Sequence, residues 1–326
     1  MEVVRSQFTE LLKADLYAYA LESYNALPKV HEQIFAVKGS TSAYEQSTTA
    51  IRGNTFVEKP ETEQIVFHNP LEGYTVFSKN RTFADGVQFS MEMVEDTPPE
   101  KIANLVLEYA SGWGEELARK KELFAAQFFN YGGYTAGHDT FNSSITGVTP
   151  DGAPTALCYD GKPLFNLAGN ERPLYPGGSA SYYNGFALDL TSSNLITAYQ
   201  QMTVTNNVDG NGRKIDLRPD TLLVPSQLIF EARNILNAGG VLGSANNDIN
   251  KTQNLLQPLE WQYLTDTNAW FVLQSKKGLV FHNRKPLELD FWQDKTTKSY
   301  YATAIARFGA FVKDFRYQVG SNFATS

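Results

Sequence analysis

The chain has 326 residues, enough for one large domain or two to three modest ones, and its 42% apolar and 13% aromatic content supports a substantial core. A mean hydropathy of −0.33 fits a soluble protein, and a net charge of −7 argues against general affinity for nucleic acid phosphates or anionic membranes, which depends on clustered Lys and Arg. The single cysteine, Cys158, forbids an intrachain disulfide and fits a reducing compartment.

No run approaches the ~18 apolar residues that a membrane span requires. The opening "MEVVRSQFTELLKADLYAYALESYN" carries acids early and shows no signal-peptide cleavage pattern, so a soluble intracellular chain is expected. Phe8, Leu11, Leu12, Leu16, Tyr19 and Ala20 fall at helical spacing there. A β-rich stretch follows over about 34–94. In "DGVQFSMEM", Val87, Phe89, Met91 and Met93 alternate with polar residues, and Asp85-Gly86 is a turn signal before them. Upstream, "QIVFHNPLEGYTVFS" reads as two strands around Asn69-Pro70 and Glu72-Gly73. Such a hairpin has little core of its own and must lie on something else, either its own domain or another copy of the chain.

The longest helix pattern is "TPPEKIANLVLEYASGWGEELARKKELFAAQFFN". Thr97 is placed as N-cap, Pro98 as N1 and Glu100 as N3, giving a capping box. Ile102, Leu105, Val106, Tyr109, Trp113, Leu117, Phe124 and Phe128 trace one face; Gly112 and Gly114 are candidate bends, and Gly132-Gly133 ends the helix. Residues 131–190 are rich in turn signals. "ITAYQQMTV" then reads as a strand and "NNVDGNGRK" as a loop. In "TLLVPSQLIFEARNIL", Leu222, Leu223 and Val224 form a strand, while Leu228, Ile229, Ala232, Ile235 and Leu236 form a helix face. The last third gives strands at "AWFVLQ", "GLVFH", "PLELDFW", "SYYATAIARFG" and "AFVKDFRYQV". The order as a whole predicts an α+β architecture of long helices on antiparallel sheet with one protruding hairpin.

Patterns for chemistry are incomplete. "HEQIF" (31–35) begins like a zinc-protease motif, but Phe35 stands where the second ligand belongs, so His31, like His68, His138 and His282, reads as a surface or capping histidine. "NNVDGNG" resembles a calcium loop, yet Arg218 falls where the bidentate acid belongs. Phosphate-binding glycine loops and a nucleophile elbow are absent from the sequence. Cys158 reads as a small buried hydrophobe. No catalytic residue, cofactor or metal is expected.

The order of elements is similar to that of the major capsid proteins of tailed phages, the HK-97-type fold. "PDTLLVP" (219–225) resembles a strand-to-helix stretch recurring in that family, "LTDTNAWFVL" (264–273) resembles its "LTDxxAWYLL" strand, and "ARFGAFVKDFRYQVGSN" resembles its final strands, with Phe315 where Trp is common. "LCYDGKPLFN" (157–166), "YPGG" (175–178) and "KNRTFADGVQFS" (79–90) resemble the Mu-type major head proteins. The resemblance covers most of residues 79–320 and implies a shell tile. Its parts would be an N-terminal arm (1–45), an extended β-hairpin loop (46–96), a peripheral domain (97–180) with spine helix 98–130, an axial domain (181–265), and strands completing both (266–326). The hairpin would lie over a neighbouring subunit, with Phe67, Leu71, Tyr74, Phe77, Val87, Phe89 and Met91 as contacts.

The implied partners are further copies in hexamers and pentamers, a separate scaffolding protein, a portal and a decoration protein. The shell would enclose dsDNA without sequence-specific binding, have no membrane partner, assemble in the host cytoplasm and reside in the virion. Lys59 and Lys79 lie in the expected hairpin, but a Lys–Asn crosslink needs a desolvated lysine beside a positioned carboxylate, which the sequence does not display. Two rival readings are an encapsulin-type compartment and an α+β enzyme with a dispersed acid/base site.

Overall fold

A computed structural model describes residues 5–51, 58–65, 67, 71–96, 98–134, 147–148, 154–155, 158, 162–174, 178, 182–209, 213–240 and 249–325. In chain order the helices are α1 (Arg5–Ala26), α2 (His31–Ile34), α3 (Met91–Asp96), α4 (Pro99–Asn130), α5 (Ser192–Gln200) and α6 (Ile229–Asn237). The strands are β1 (Ala36–Gly39), β2 (Tyr44–Ile51), β3 (Leu71–Lys79), β4 (Arg81–Phe89), β5 (Gly147–Val148), β6 (Pro154–Thr155), β7 (Gly185–Phe186), β8 (Thr221–Val224), β9 (Gln257–Glu260), β10 (Trp270–Leu273), β11 (Leu279–Gln293), β12 (Tyr300–Val312) and β13 (Gln318–Ser321).

Helix α4 organises half of the molecule. Its 32 residues make a rod of about 48 Å at 1.5 Å per residue. Val106, Trp113, Leu117, Phe124 and Phe128 are buried along it, as the helical spacing predicts, together with Ala110; Leu105 is half-buried, Tyr109, expected on the same face, is 42% exposed, and the Ile102 side chain lies outside the described residues. The helix begins at Pro99 with Pro98 at the N-cap, one residue later than the sequence suggests; Thr97, the expected cap, lies outside the described residues. Gly114 serves as a contact surface: a Cβ there would stand 2.1 Å from the Ala20 carbonyl oxygen of α1. Only glycine lets the two backbones approach so closely. On α1, Leu16 and Ala20 are buried against α4, whereas Tyr19, expected on the same stripe, is 48% exposed. The side chains of Phe8, Leu11 and Leu12 lie outside the described residues.

Beside α4 lies a four-stranded sheet in the order β1-β11-β12-β4. Ala302, Ala304, Ala306, Phe308, Ala310 and Val312 are buried at period two along β12, the signature of a strand with one face in the core. Two of the strands read from the last third merge into one, and "AFVKDFRYQV" divides, with Ala310–Val312 ending β12 and Gln318-Val319 opening β13. "GLVFH" and "PLELDFW" are the single strand β11, with register shifts between Asn283 and Lys285 and between Lys285 and Glu288. These bulges let one strand pass Pro286, which cannot donate to the ladder. The second sheet has the order β7-β13-β10-β8-β9. Leu223, Phe271 and Leu273 share a core with α4, while Leu222, Val224, Trp270, Val272 and Val319 pack with α5 and α6. The 221–237 stretch is therefore a core unit, with Ile229, Ala232, Ile235 and Leu236 buried as predicted.

Two further expectations are corrected. "ITAYQQMTV" is helical, comprising the end of α5 and a π-turn over Gln201–Thr205. The Thr191 hydroxyl caps α5 by accepting from the Asn194 N–H (3.2 Å), and Leu195, Ala198 and Met202 fill the core at helical spacing, outweighing the β-propensity of Ile196, Thr197 and Val204. The expected 46–96 hairpin segment divides. β2 pairs with β3, so β3's partner is not the expected 64–68 strand; residues 64, 65 and 67 are in no strand, and His68, Asn69 and Pro70 lie outside the described residues. β4 instead joins the main sheet, where Asp85 and Gly86 pair in register with Ala304 and Thr303 and form no turn. It ends at Phe89, and Met91 and Met93 sit on α3. The short β5–β6 pair touches the β2–β3 ribbon through β3.

Candidate assembly surfaces

The β2–β3 ribbon is fastened to the body at its root. Val76 packs with Val280 and Phe311. The Ser78 hydroxyl donates to the Ala310 carbonyl (3.1 Å), and the Asn80 amide donates to the Ser40 hydroxyl (2.9 Å) and the Ser42 carbonyl (2.8 Å). Beneath the root sits His282, 1% exposed, with Nε2 3.4 Å from the Ser78 hydroxyl. Burial pulls the imidazole pKa down to about 4, partly offset by the Glu45 carboxylate. Gly309 makes room for this arrangement: a Cβ would lie 2.6 Å from His282 Nε2 and 2.9 Å from the Lys79 carbonyl oxygen.

Away from the root the described residues face solvent. Every residue from Glu58 to Ile65 is exposed, and Phe67 is 90% exposed. The structure separates the contact residues predicted from sequence. Leu71, Tyr74 and Phe77 lie on β3, where Leu71 pairs in register with Ile51 and Phe77 with Gln46; their side chains lie outside the described residues. Val87 is half-buried and packs within the chain, in the cluster formed by α1, α4, β4, β11 and β12. Phe89 is 3% exposed, edge-on to Tyr109 at 6.0 Å, and so has no free surface in the folded subunit. Met91 is 37% exposed on α3.

Other exposed apolar groups escaped the sequence reading. Phe230 is 71% exposed on the otherwise polar face of α6, and Trp292 is 44% exposed while stacked on Tyr301 at 5.6 Å. Their signals were present: Phe230 falls off the Ile229–Ala232–Ile235–Leu236 stripe, and Trp292 alternates with the inward Leu289 and Phe291.

A buried polar latch ties the N-terminal segment to α4 and to the end of β9. Glu122, 3% exposed, lies 2.6 Å from His31 Nδ1 and accepts the Trp261 indole N–H at 2.8 Å and the His31 backbone N–H at 3.2 Å. Next to it Lys121 donates to the Tyr24 hydroxyl (3.0 Å). Burial lowers the Lys121 ammonium pKa to about 8 and raises the Tyr24 phenol pKa to about 12. His31 and His282 are thus buried, where surface or capping histidines were expected; His68 and His138 lie outside the described residues. In the calcium-like loop, Asn207 Oδ1 accepts the Ile215 and Leu217 N–H groups, as in a polar turn. Cys158 is buried. No cluster of metal-ligating side chains occurs among the described residues, and no described helix is long and apolar enough to cross a membrane.

Among the described residues, a well-packed body carries a β-ribbon that is tied to it at its root and touched by the β5–β6 pair along β3. The sequence matches the phage capsid protein family over residues 73–319, and the chain belongs to that family. Its fold is the HK-97-type capsid fold. The chain is similar to the capsid of the cyanophage P-SCSP1u, with 11% identity and a TM-score of 0.51 over 92% of this chain and 89% of the other. The mature capsid of bacteriophage PhiM1 gives 10% identity and a TM-score of 0.52 over 91% and 88%. The capsid of an empty GTA particle gives 12% and 0.52 over 91% of both chains. No curated protein sequence matches. The protein is a capsid shell component of a virion.

Proposed function

We propose that this chain is the major tile of an icosahedral tailed-phage head, assembling as hexamers and pentamers around dsDNA. The observation that carries the reading is the β2–β3 ribbon: a folded subunit that leaves Ile65 and Phe67 in water is incomplete without a neighbour to cover them. In this reading residues 1–45 are the N-terminal arm, 46–96 the extended loop, 97–180 the peripheral domain, 181–265 the axial domain and 266–326 the strands completing both. Phe67, Leu71, Tyr74, Phe77 and Met91 meet neighbouring subunits. Val87 contributes only its exposed part, and Phe89 serves by holding β4 on α4.

A separate scaffolding protein, a portal and a decoration protein complete the head, and assembly takes place in the host cytoplasm. The role is structural, with no turnover and no cofactor. Lys59 and Lys79 are exposed, so the desolvated lysine needed for crosslinking is absent at both in the free subunit.

Sedimentation and negative-stain microscopy of the expressed protein test the reading. Pentamers, hexamers or shells are expected, with a single band near 36.4 kDa on denaturing gels. A stable monomer that turns over a substrate would overturn it. Nuclease-protected DNA in particles made during infection separates a phage head from an enzyme-holding compartment.

A further inference from the structure

Between the α1–α2 link, α4 and the end of β9 lies a cleft of about 320 Å³, within the size range of small-ligand pockets. Leu27, Val30, Ala118, Trp261 and Tyr263 give it apolar and aromatic walls; the buried Glu122 and the exposed Glu260 supply carboxylates. The one guanidinium lining it, Arg119, is already engaged by Glu115 (3.0 Å) and Glu116 (4.0 Å). Glu260 has no hydrogen-bond or ion-pair partner for its carboxylate among the described residues. Glu122 is already taken up by His31 and Trp261, so the open acid is Glu260 at the mouth, and apolar walls with an acid at the mouth suit an aliphatic stem ending in an ammonium group.

The chain presents such groups past the end of α2, where the Lys276 N–H donates to the Ile34 carbonyl (2.8 Å). The turn between β10 and β11 meets the turn after β12, where the Lys313 and Asp314 N–H groups donate to the Gly278 carbonyl at 2.8 and 3.1 Å. This gathers the exposed Lys276, Lys277 and Lys313; of the acids there, Asp314 is held by Arg316 at 2.6 Å and Asp220 accepts from the Ser275 N–H and hydroxyl. None of the three ammonium groups meets a carboxylate among the described residues. Within an acidic protein, this is an unbalanced cationic corner opposite in charge to the cleft.

We infer that a lysine from this corner of a second copy enters the cleft, so that each tile plugs the next. The contact is heterologous, the kind that closes rings or extends lattices, and the inference rests on the shell reading above. The test is a charge swap. Glu260→Lys alone, and Lys276→Glu/Lys277→Glu/Lys313→Glu alone, should each lower particle yield at least tenfold while leaving the subunit's melting temperature within about 2 °C of wild type. Both changes in one chain should restore assembly. Ala118→Leu, which fills the cleft without touching charge, should also lower yield, and Glu260→Gln gives a milder version if the reversal destabilises the subunit.

Wild-type yield from both reversals would overturn the inference. So would a defect of the lysine triple that Glu260→Lys cannot rescue, which would assign the corner to another anion such as packaged DNA. A defect of Glu260→Lys alone, together with spermidine binding to wild-type subunits by calorimetry, would assign the cleft to free polyamine and also overturn it. If wild-type protein forms no particles at all, the shell reading fails and takes this inference with it.

Discussion

Along α4, Val106, Ala110, Trp113, Leu117, Phe124 and Phe128 are each less than a tenth exposed, and the helix is fixed further by Gly114 against α1 and by Glu122 against α2 and Trp261. Along the ribbon, Val76 is buried at the root, while residues 58–65 lie in water and Phe67 is 90% exposed. The body buries most of its described apolar groups within one chain. The ribbon's described side-chain ties to the body lie at its root, through Ser78, Asn80 and the Val76 contact. The difference teaches where assembly energy resides: mutations in the body should register in the free subunit, and those in the ribbon in the shell.

The largest effect should come from Glu122→Leu, which strands the His31 and Trp261 donors in the interior. A loss of about 3–5 kcal/mol in urea unfolding of the subunit is expected. Gly114→Leu should cost on the order of 3 kcal/mol by forcing α1 away from α4, seen as a lowered melting temperature and earlier proteolysis of the N-terminal segment.

The ribbon root should reveal itself through pH. The His282 imidazole titrates near 4 in the folded chain and near 6.5 in the unfolded one. Above 6.5 both states are neutral and stability is complete. As pH falls from 6.5 to 4, the unfolded chain takes up a proton that the native site refuses, and up to about 3 kcal/mol is lost. Unfolding titrations should show this slope in the wild type and a flatter one in His282→Gln. The smallest effect on the subunit should be Phe67→Ser, within ~0.5 kcal/mol in the same assay because the ring touches little; shell yield should nonetheless drop. A large stability loss from Phe67→Ser would erase the distinction between body and ribbon.

The body was the more legible of the two in sequence, for the same physical reason. Helix α4 and the 221–237 unit carry apolar residues at a strict period, and the core enforced that period. Where several forces compete, pattern misleads. The β-branched run at 196–204 folds as a helix because Thr191 caps it and Leu195, Ala198 and Met202 face the core. The alternation through Met93 overran β4 because the register with β12 ends at Phe89. The candidate contacts were half visible: Phe67 is exposed, but Phe89 obeys the same alternation and is buried, since period reveals a face without revealing what covers it. Glu122, His31 and Trp261, separated by up to 230 residues, could be joined only by the fold.

Hydrogen exchange, compared between free subunits and assembled particles, tests the contrast most directly. Amides of α4 should be strongly protected in both. Amides of the ribbon, at 44–51 and 71–79, should exchange readily in free subunits and become protected on assembly. Ribbon protection that is already high in the free subunit, or unchanged in the particle, would contradict a tile whose ribbon is completed by its neighbour.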